Sequence, residues 1–405
     1  MKILIISELF SPRGGSEIIA YSTYKILKNK GHEVYFFATD KKPFWENYEY
    51  SKYFTKYNGG IKNYIKNPLK YYYNIQAKKD LNKFIELIKP DCIHIHVYSG
   101  LSPSIFDCLK NIPTVFSLHD ANLCCPAFAL LNKNGCICQK EVNSNFIPCL
   151  INRCVNNSLE ASLRRSILFK LFHSKLKYVD KFITPSNALK ELMIQTKIGI
   201  NPENIVTINN FLSKHEFGNV KPNYNNKGYF LFVGRLSKEK GVHYLLEAMK
   251  DLPKDIKLHI VGIGSEEEKL KKYAKENNLN NVKFCGFKNR EEIKEEYQNC
   301  ITLIVPSNCF ETFGIINIEA AINGKPAIAS NIGGIPEIVE HNKTGLLFEP
   351  ANVEELKECI LKYWNNSNLV IEHGKNAYEK ATKLYTEERY YKELIQVYNE
   401  VLNEK

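Results

Sequence analysis

No apolar run in this sequence reaches the roughly 18–20 residues that a helix needs to cross a bilayer. The N-terminal stretch MKILIISELF reads as a short strand and carries no signal-peptide cleavage site. There is no low-complexity tract and no repeat of solenoid length. No convincing D-x-D metal motif is present, and no nucleic-acid module surrounds the basic stretches. The one Gly-x-Gly that follows a strand, in HIVGIGSEEEKL (259–270), has Glu267 where a dinucleotide fingerprint needs its third glycine, which demotes NAD. These absences point to a cytoplasmic protein that binds no nucleic acid. At 405 residues the chain is too long for one core, so two domains are expected. Its 44% hydrophobic and 24% charged residues suit an ordinary globular protein.

Positive charge is concentrated in one half. Residues 1–212 hold 28 Lys and Arg against 16 Asp and Glu, a net of +12, whereas residues 213–405 are close to neutral. The density peaks over 41–79, with nine lysines, two acids and eleven aromatics. Such a mixture suits peripheral contact with an anionic membrane, where aromatics sit at the headgroups and lysines meet acidic lipid. It equally suits a solvated helix pair whose aromatics face the core.

Strand and helix patterns alternate through both halves. Strand-like runs fall at 2–7, 32–39, 91–99, 113–120, 181–186 and 204–210, with helical patterns at 16–31, 81–90 and from 187. KPNYNNKG (221–228) is polar and breaker-rich. The alternation then restarts with YFLFVG (229–234), KLHIVG (257–262), VKFCGF (282–287) and ITLIVPS (301–307). The expected organisation is an α/β chain: a Rossmann-like domain over 1–212 with an insertion at 121–160, a linker at 213–228, a second Rossmann-like domain over 229–385, and a tail helix at 386–405. The two parallel sheets are expected to face each other across a cleft.

Several loops at strand ends carry chemistry. In FVGRLSKEKGV (232–242), Arg235 can grip phosphate oxygens bidentately and Lys240 adds a point charge, which together suit a diphosphate; an exposed basic turn would look the same. SPRGGSE (11–17) puts Gly14 and Gly15 where a helix begins, a place for bare N–H groups. SLHD (117–120) ends a strand at His119, which can donate to a sugar hydroxyl or serve the fold. HIH (94–96) puts His94 and His96 on one strand face, for core packing or for a metal. CFETFGIINIEAAINGKP (309–326) sets Glu311 in a strand-to-helix loop, Gly314 at the helix start and Glu319 inside the helix.

In this order, with SNIGGIPEIVEHNKTGLLFEP (330–350) behind them, the motifs resemble those of the group 1, family 4-type glycosyltransferases of GT-B fold. The resemblance runs through essentially the whole chain. It implies a retaining, metal-independent, hexosyltransferase-like enzyme that moves a sugar from a UDP- or GDP-sugar to a glycan or lipid-linked acceptor. By the same resemblance Arg235 and Lys240 bind the donor diphosphate, and Glu311 holds sugar hydroxyls. The backbone from Thr312 through Phe313 and Gly314 to Ile315 meets sugar and phosphate. Glu319 takes the ribose, Gly262 lines the base side, Gly15 approaches the phosphates and His119 contacts the transferring sugar. The tail helix is expected to pack back on the N-terminal, acceptor-side domain. No residue stands out as a covalent nucleophile, so the resemblance implies front-side attack assisted by the leaving phosphate. Two other readings stay open: a sugar-nucleotide epimerase of similar architecture and a non-catalytic sugar-nucleotide-binding scaffold.

Six of twelve cysteines fall between 124 and 154. Reduced thiols in a loop-rich segment suit a structural zinc held by Cys125, Cys136, Cys138, Cys149 and Cys154, or less readily an iron–sulfur cluster. The C-x-C spacing departs from the usual C-x₂-C knuckle, and unliganded thiols are the alternative. Transfer itself is expected to need no cofactor.

Overall fold

The structure, a computed structural model, describes the chain except residues 12–13, 58–63, 66, 122, 128–129, 131–137, 139–146, 197, 214–217, 219, 225–227 and 405. Parts of the expected linker and insertion, including Cys136, therefore lie outside the described residues. The chain divides into two compact units. The first comprises Met1–Phe128, Gln139–Asn210 and Glu387–Lys405; the second comprises Ala129–Cys138 and Phe211–Thr386. Each is built on a six-stranded, wholly parallel sheet with helices between successive strands, a Rossmann-like architecture.

In the first unit the strands are β1 (Lys2–Ile6), β2 (Glu33–Phe37), β3 (Cys92–Ile95), β4 (Thr114–Ser117), β5 (Lys181–Thr184) and β6 (Ile205–Thr207), in the order β2-β1-β3-β4-β5-β6. β3, β4 and β5 are buried at every position, as a parallel sheet covered on both faces requires. The helix Ile75–Ile88 buries Ala77, Leu81, Phe84 and Ile88, one helical stripe, and Asn74 caps it by accepting from the Ala77 N–H at 3.1 Å. The tail helix Glu387–Asn403 belongs to this unit, because it buries Tyr390, Leu394, Val397, Tyr398 and Val401 there. Tyr390 meets the Thr23 hydroxyl at 3.0 Å, Tyr398 bonds His94 Nδ1 at 2.6 Å, and Lys30 pairs with Glu388 at 2.7 Å.

Several aromatics of the 41–79 stretch pack inward. Trp45 stacks on Tyr21 with centroids 4.5 Å apart, and Tyr48 and Phe54 are buried around Phe10. Tyr53 stacks on Phe84 at 5.3 Å. Further along, Tyr64 and Tyr71 face the Arg164 guanidinium. Among its described residues are a short 3₁₀ turn, Glu49–Tyr53, a five-residue helix, Pro68–Tyr72, and the start of the helix Ile75–Ile88. The physical reason is local: Phe10, Phe36 and Phe84 leave an apolar hollow beside β1 and β2 that only large rings fill. Ile65, Leu69, Tyr73 and Ile75 of the same stretch are exposed. No helix among the described residues is long and apolar enough to cross a membrane.

The second unit has β7 (Tyr229–Val233), β8 (Leu258–Val261), β9 (Val282–Gly286), β10 (Cys300–Val305), β11 (Ala327–Ser330) and β12 (Gly345–Phe348), in the order β12-β11-β10-β7-β8-β9. Its two faces show in β7: Phe230 and Phe232 join one apolar cluster with Leu258 and Ile260, while Leu231 and Val233 join the other with Leu303 and Val305. β7 and β10 are neighbours although two strands separate them in sequence. The strand order reverses at this pair, so the loops leaving their carboxyl ends flank the crevice where ligands of open α/β sheets bind.

Replacing Phe54 by Ala should destabilise the chain by about 3–5 kcal/mol, the range for a buried aromatic cut to a methyl. Denaturant unfolding checks this. An unchanged midpoint would mean that the ring does not belong to the core.

Candidate functional site

The β7 loop runs from Gly234 to a short 3₁₀ turn at Lys238–Lys240. Gly241 ends it with φ 70°, and a Cβ there would come within 1.8 Å of the Pro306 carbonyl oxygen, which lies just past β10. The Asn308 N–H donates to the Glu239 carbonyl at 3.0 Å. The two loops are thus fastened backbone to backbone before any side chain is considered.

Across that join Lys240 pairs with Glu311, and the Ser307 hydroxyl donates to the same carboxylate oxygen, Oε1, at 2.7 Å. Burial pushes the Glu311 carboxyl up, but Lys240, Ser307 and Arg235 outweigh it and hold the group below its ordinary value. Burial likewise pulls Lys240 down, and Glu311 returns it above its ordinary value. The pair is ionised at neutral pH. Behind it, the Gly334 N–H donates to the Glu311 carbonyl at 2.7 Å, and a Cβ on Gly333 would come within 2.1 Å of that oxygen. The Gly-Gly of SNIGGIPEIV therefore seats the Glu311 backbone.

The helix Ile315–Ile322 begins immediately after. Gly314 stands at its start with φ 89°, and no side chain caps it; of the first-turn N–H groups, that of Asn317 donates to the Gly314 carbonyl at 3.0 Å. Phe313 turns its ring into the core against Tyr385, at 5.7 Å, so only its backbone is on the loop side. Thr312 and Ile315 are half-buried on either side of it. Glu319 sits one turn into the helix and accepts from the Tyr297 hydroxyl at 2.9 Å. Burial dominates there: it pushes the carboxyl above its ordinary value, and the Tyr297 hydroxyl and Arg290 offset only part of that. Two acids eight residues apart thus lie in opposite environments. Arg235 differs from both, with a side chain 71% exposed and a 3.6 Å contact to Glu239. Ser237 Oγ and Asn308 Oδ1, in the same loops, are buried without a hydrogen-bond partner among the described residues.

Gly262 ends β8 with φ 136°, and a Cβ there would come within 1.8 Å of the Gly234 carbonyl oxygen. The close approach that demands glycine is thus to the neighbouring strand end, not only to a ligand. Two apolar side chains stand exposed at the same strand ends, Ile263 at 53% and Phe287 at 75%. Sequence reasoning missed Ile263, Phe287, Ser307, Tyr297 and the Gly333–Gly334 seat. Only the Gly-Gly pair had a legible signal.

Gly15 and His119 belong to the first unit. Gly15 opens the helix Gly15–Asn29, and a Cβ added there would meet nothing within 4 Å. His119 Nε2 lies 3.0 Å from His96 Nδ1, and burial brings its pKa down to about 4, so the ring is neutral at neutral pH. His94, bonded to Ser117 and Tyr398, is a core histidine. Of the expected zinc cysteines, Cys125 and Cys149 are buried, Cys138 and Cys154 half-buried, and Cys136 lies outside the described residues. Among the described residues none of these joins a three-ligand metal grouping.

Residues 13–214 match the family model Glycosyltransferase Family 4, and residues 213–382 match Glycosyl transferases group 1. An uncharacterised glycosyltransferase of Methanocaldococcus jannaschii is 28% identical over 338 residues, which cover 81% of this chain and 91% of that protein. Sucrose-phosphate synthase from Thermosynechococcus elongatus superposes with a TM-score of 0.77 at 20% identity, over 100% of both chains. Anabaena HepE, solved in complex with UDP, superposes with a TM-score of 0.71 at 20% identity, over 99% of this chain and 100% of that one. The two parallel six-stranded units, the loops at their strand ends and these matches lead to one conclusion: the chain belongs to the group 1, family 4-like glycosyltransferases of GT-B fold.

Proposed function

We propose that this glycosyltransferase takes its sugar from a UDP- or GDP-sugar held by the second unit, transfers it with retention to a glycan or lipid-linked acceptor, and needs no metal for the transfer. The observation that carries this reading is the pair of acids around Gly314. Glu311, charged and fixed by Lys240 and Ser307, suits sugar hydroxyls. Glu319, half-buried with one tyrosine donor, suits a ribose diol that would bring two more. The uncapped helix start between them suits a phosphate. Arg235, exposed beside them, supplies positive charge to a departing diphosphate, the task a divalent ion performs in other sites. Ile263 and Phe287 offer the apolar faces that a nucleobase needs. In this scheme the leaving phosphate takes the acceptor proton, and the protein contributes position and charge. Gly15 and His119 keep the phosphate and sugar roles proposed for them. A structural zinc in the cysteine-bearing insertion also stands as a proposal.

A lipid-linked acceptor at an anionic membrane is supported by charge and by one helix face. The first unit carries the excess positive charge. On its helix Leu159–His173, Leu159, Leu163, Ile167 and Leu171 recur every fourth residue and are 40–55% exposed. Exposed aliphatics on a basic unit suit the boundary between headgroups and acyl chains. We expect the chain to sediment with vesicles containing acidic lipid and not with neutral ones. The double substitution Leu163→Ser with Ile167→Ser should lower the bound fraction several-fold. Equal binding by the double variant would rule out this face.

Donor choice is tested by thermal stabilisation with UDP- and GDP-sugars. At 100 times its dissociation constant a donor adds about 2.7 kcal/mol. One nucleotide class should raise the wild-type Tm, and Glu319→Gln and Arg235→Ala should each abolish most of that gain. A full shift in both variants would refute the assignment.

Glu319 also predicts a pH dependence. A carboxyl whose folded pKa lies above its unfolded value binds its proton more tightly when folded, so it penalises the fold as pH rises through the folded value. Glu319→Gln keeps an acceptor for Tyr297 and removes the charge. The variant should be more stable than wild type at pH 7–8, with the difference shrinking as pH falls towards the ordinary glutamate value of 4.5. Denaturant titrations at several pH values measure this, and a less stable variant at pH 7 would contradict it.

A further inference from the structure

At the outer edge of the second sheet, just before the strand end that carries Phe287, three unlike ligand atoms meet. His259 lies on β8, Cys285 on the edge strand β9, and Glu296 on the helix Arg290–Asn299 that follows β9. The His259 nitrogen, the Cys285 sulfur and a Glu296 oxygen all lie within 4.8 Å of one another. Among the described residues this is the one grouping of three such side chains. Nothing in the sequence pattern announces it, because the three residues come from separate elements at irregular spacing.

The surroundings are organised. Cys285 falls where the register between β8 and β9 slips: Ile260 pairs with Phe284 and Val261 with Gly286, so Cys285 is the extra residue of a bulge. Bulges re-aim side chains. The Cys285 sulfur makes only weak contacts, to the Lys283 carbonyl at 3.7 Å and to the Ile260 backbone. His259 Nδ1 stands 3.0 Å from Glu296 Oε2, and the Tyr229 ring stacks on the imidazole with centroids 3.5 Å apart. Lys288 occupies the other Glu296 oxygen, Oε1, and the Tyr229 hydroxyl donates to the Glu296 backbone carbonyl at 3.4 Å. The Glu296 carboxylate is therefore buried, oriented and charged, with one oxygen turned to His259 and Cys285.

We propose that His259, Cys285 and Glu296 form a zinc site that pins the edge strand β9 and β8 to the helix Arg290–Asn299. One imidazole, one thiolate and one carboxylate are donors that Zn²⁺ accepts, with water in the fourth position, and the thiolate disfavours Mg²⁺ and Ca²⁺. The 3.0 Å gap that now holds a hydrogen bond is close to the spacing of adjacent ligands in a tetrahedral site. On binding, the Cys285 thiol gives its proton to solvent, and the imidazole proton moves from Nδ1 to Nε2. The carboxylate binds through Oε2, so one proton is released per ion. Lys288 and Tyr229 stay in place as the outer partners that orient a metal's ligands. The site is independent of the glycosyl-transfer reading and takes no part in the transfer.

The experiment is a Co²⁺ titration of the metal-free full-length chain, followed in the near ultraviolet and visible, with Zn²⁺ as competitor. Wild type should develop a thiolate-to-cobalt band with a Cys285-dependent part that saturates with one equivalent and that Zn²⁺ displaces. Cys285→Ser and His259→Gln should each remove that part. The double variant Cys138→Ser with Cys154→Ser separates this site from the cysteine-bearing insertion and should keep the Cys285-dependent band. Zn²⁺ should raise the Tm of wild type and leave that of Cys285→Ser unmoved. If Cys285→Ser fails to fold, His259→Gln carries the same comparison. A wild-type chain that shows no band, or a band and Tm shift of equal size in both substituted chains, overturns the proposal.

Discussion

Lys240 and Glu311 join two loops that leave neighbouring strands at the point where the order of the second sheet reverses. Much of the candidate donor site depends on that join. The pair is largely withdrawn from water, so neither partner tolerates the loss of the other. The backbone beneath it is equally constrained: Gly241 passes against Pro306, and Gly333–Gly334 pass against Glu311. A loop held at two backbone contacts and one ion pair keeps its shape without a ligand.

The two acids of this loop illustrate how one helix turn can separate chemistries. Glu311 faces cations and a hydroxyl, and its charge is favoured. Glu319 faces a single tyrosine in a desolvated position, and its charge is disfavoured. A desolvated carboxylate of this kind weakens the fold as pH rises. The exposed Arg235 is the complement: its contact with Glu239 stabilises little.

Much of the fold was legible because parallel sheets covered on both faces demand continuous apolar runs, and the runs at 2–7, 229–234, 257–262 and 301–307 are unmistakable. The tail helix was legible for a related reason, its stripe from Tyr390 to Val401 repeating with helical period. The 41–79 stretch was not, because rings beside lysines look alike whether they face lipid or Phe10. Composition records which groups are present and not which way they turn. The exposed face of Leu159, Leu163, Ile167 and Leu171 was hidden for the opposite reason, since an i, i+4 stripe ordinarily signals burial.

By itself, the sequence determined the class of the fold, the strand-end positions of Arg235, Lys240, Glu311 and Glu319, and the family to which they belong. Those follow from short-range rules: period, capping, and what a loop between a buried strand and a helix can contain. Only the tertiary structure decided that Lys240 is bound to Glu311, that Gly262 yields to Gly234, and that His259, Cys285 and Glu296 share one spot. Each of these is a contact between residues tens of positions apart. It arises when parallel strands align their carboxyl ends or a helix crosses back over an edge, and no local pattern encodes that alignment.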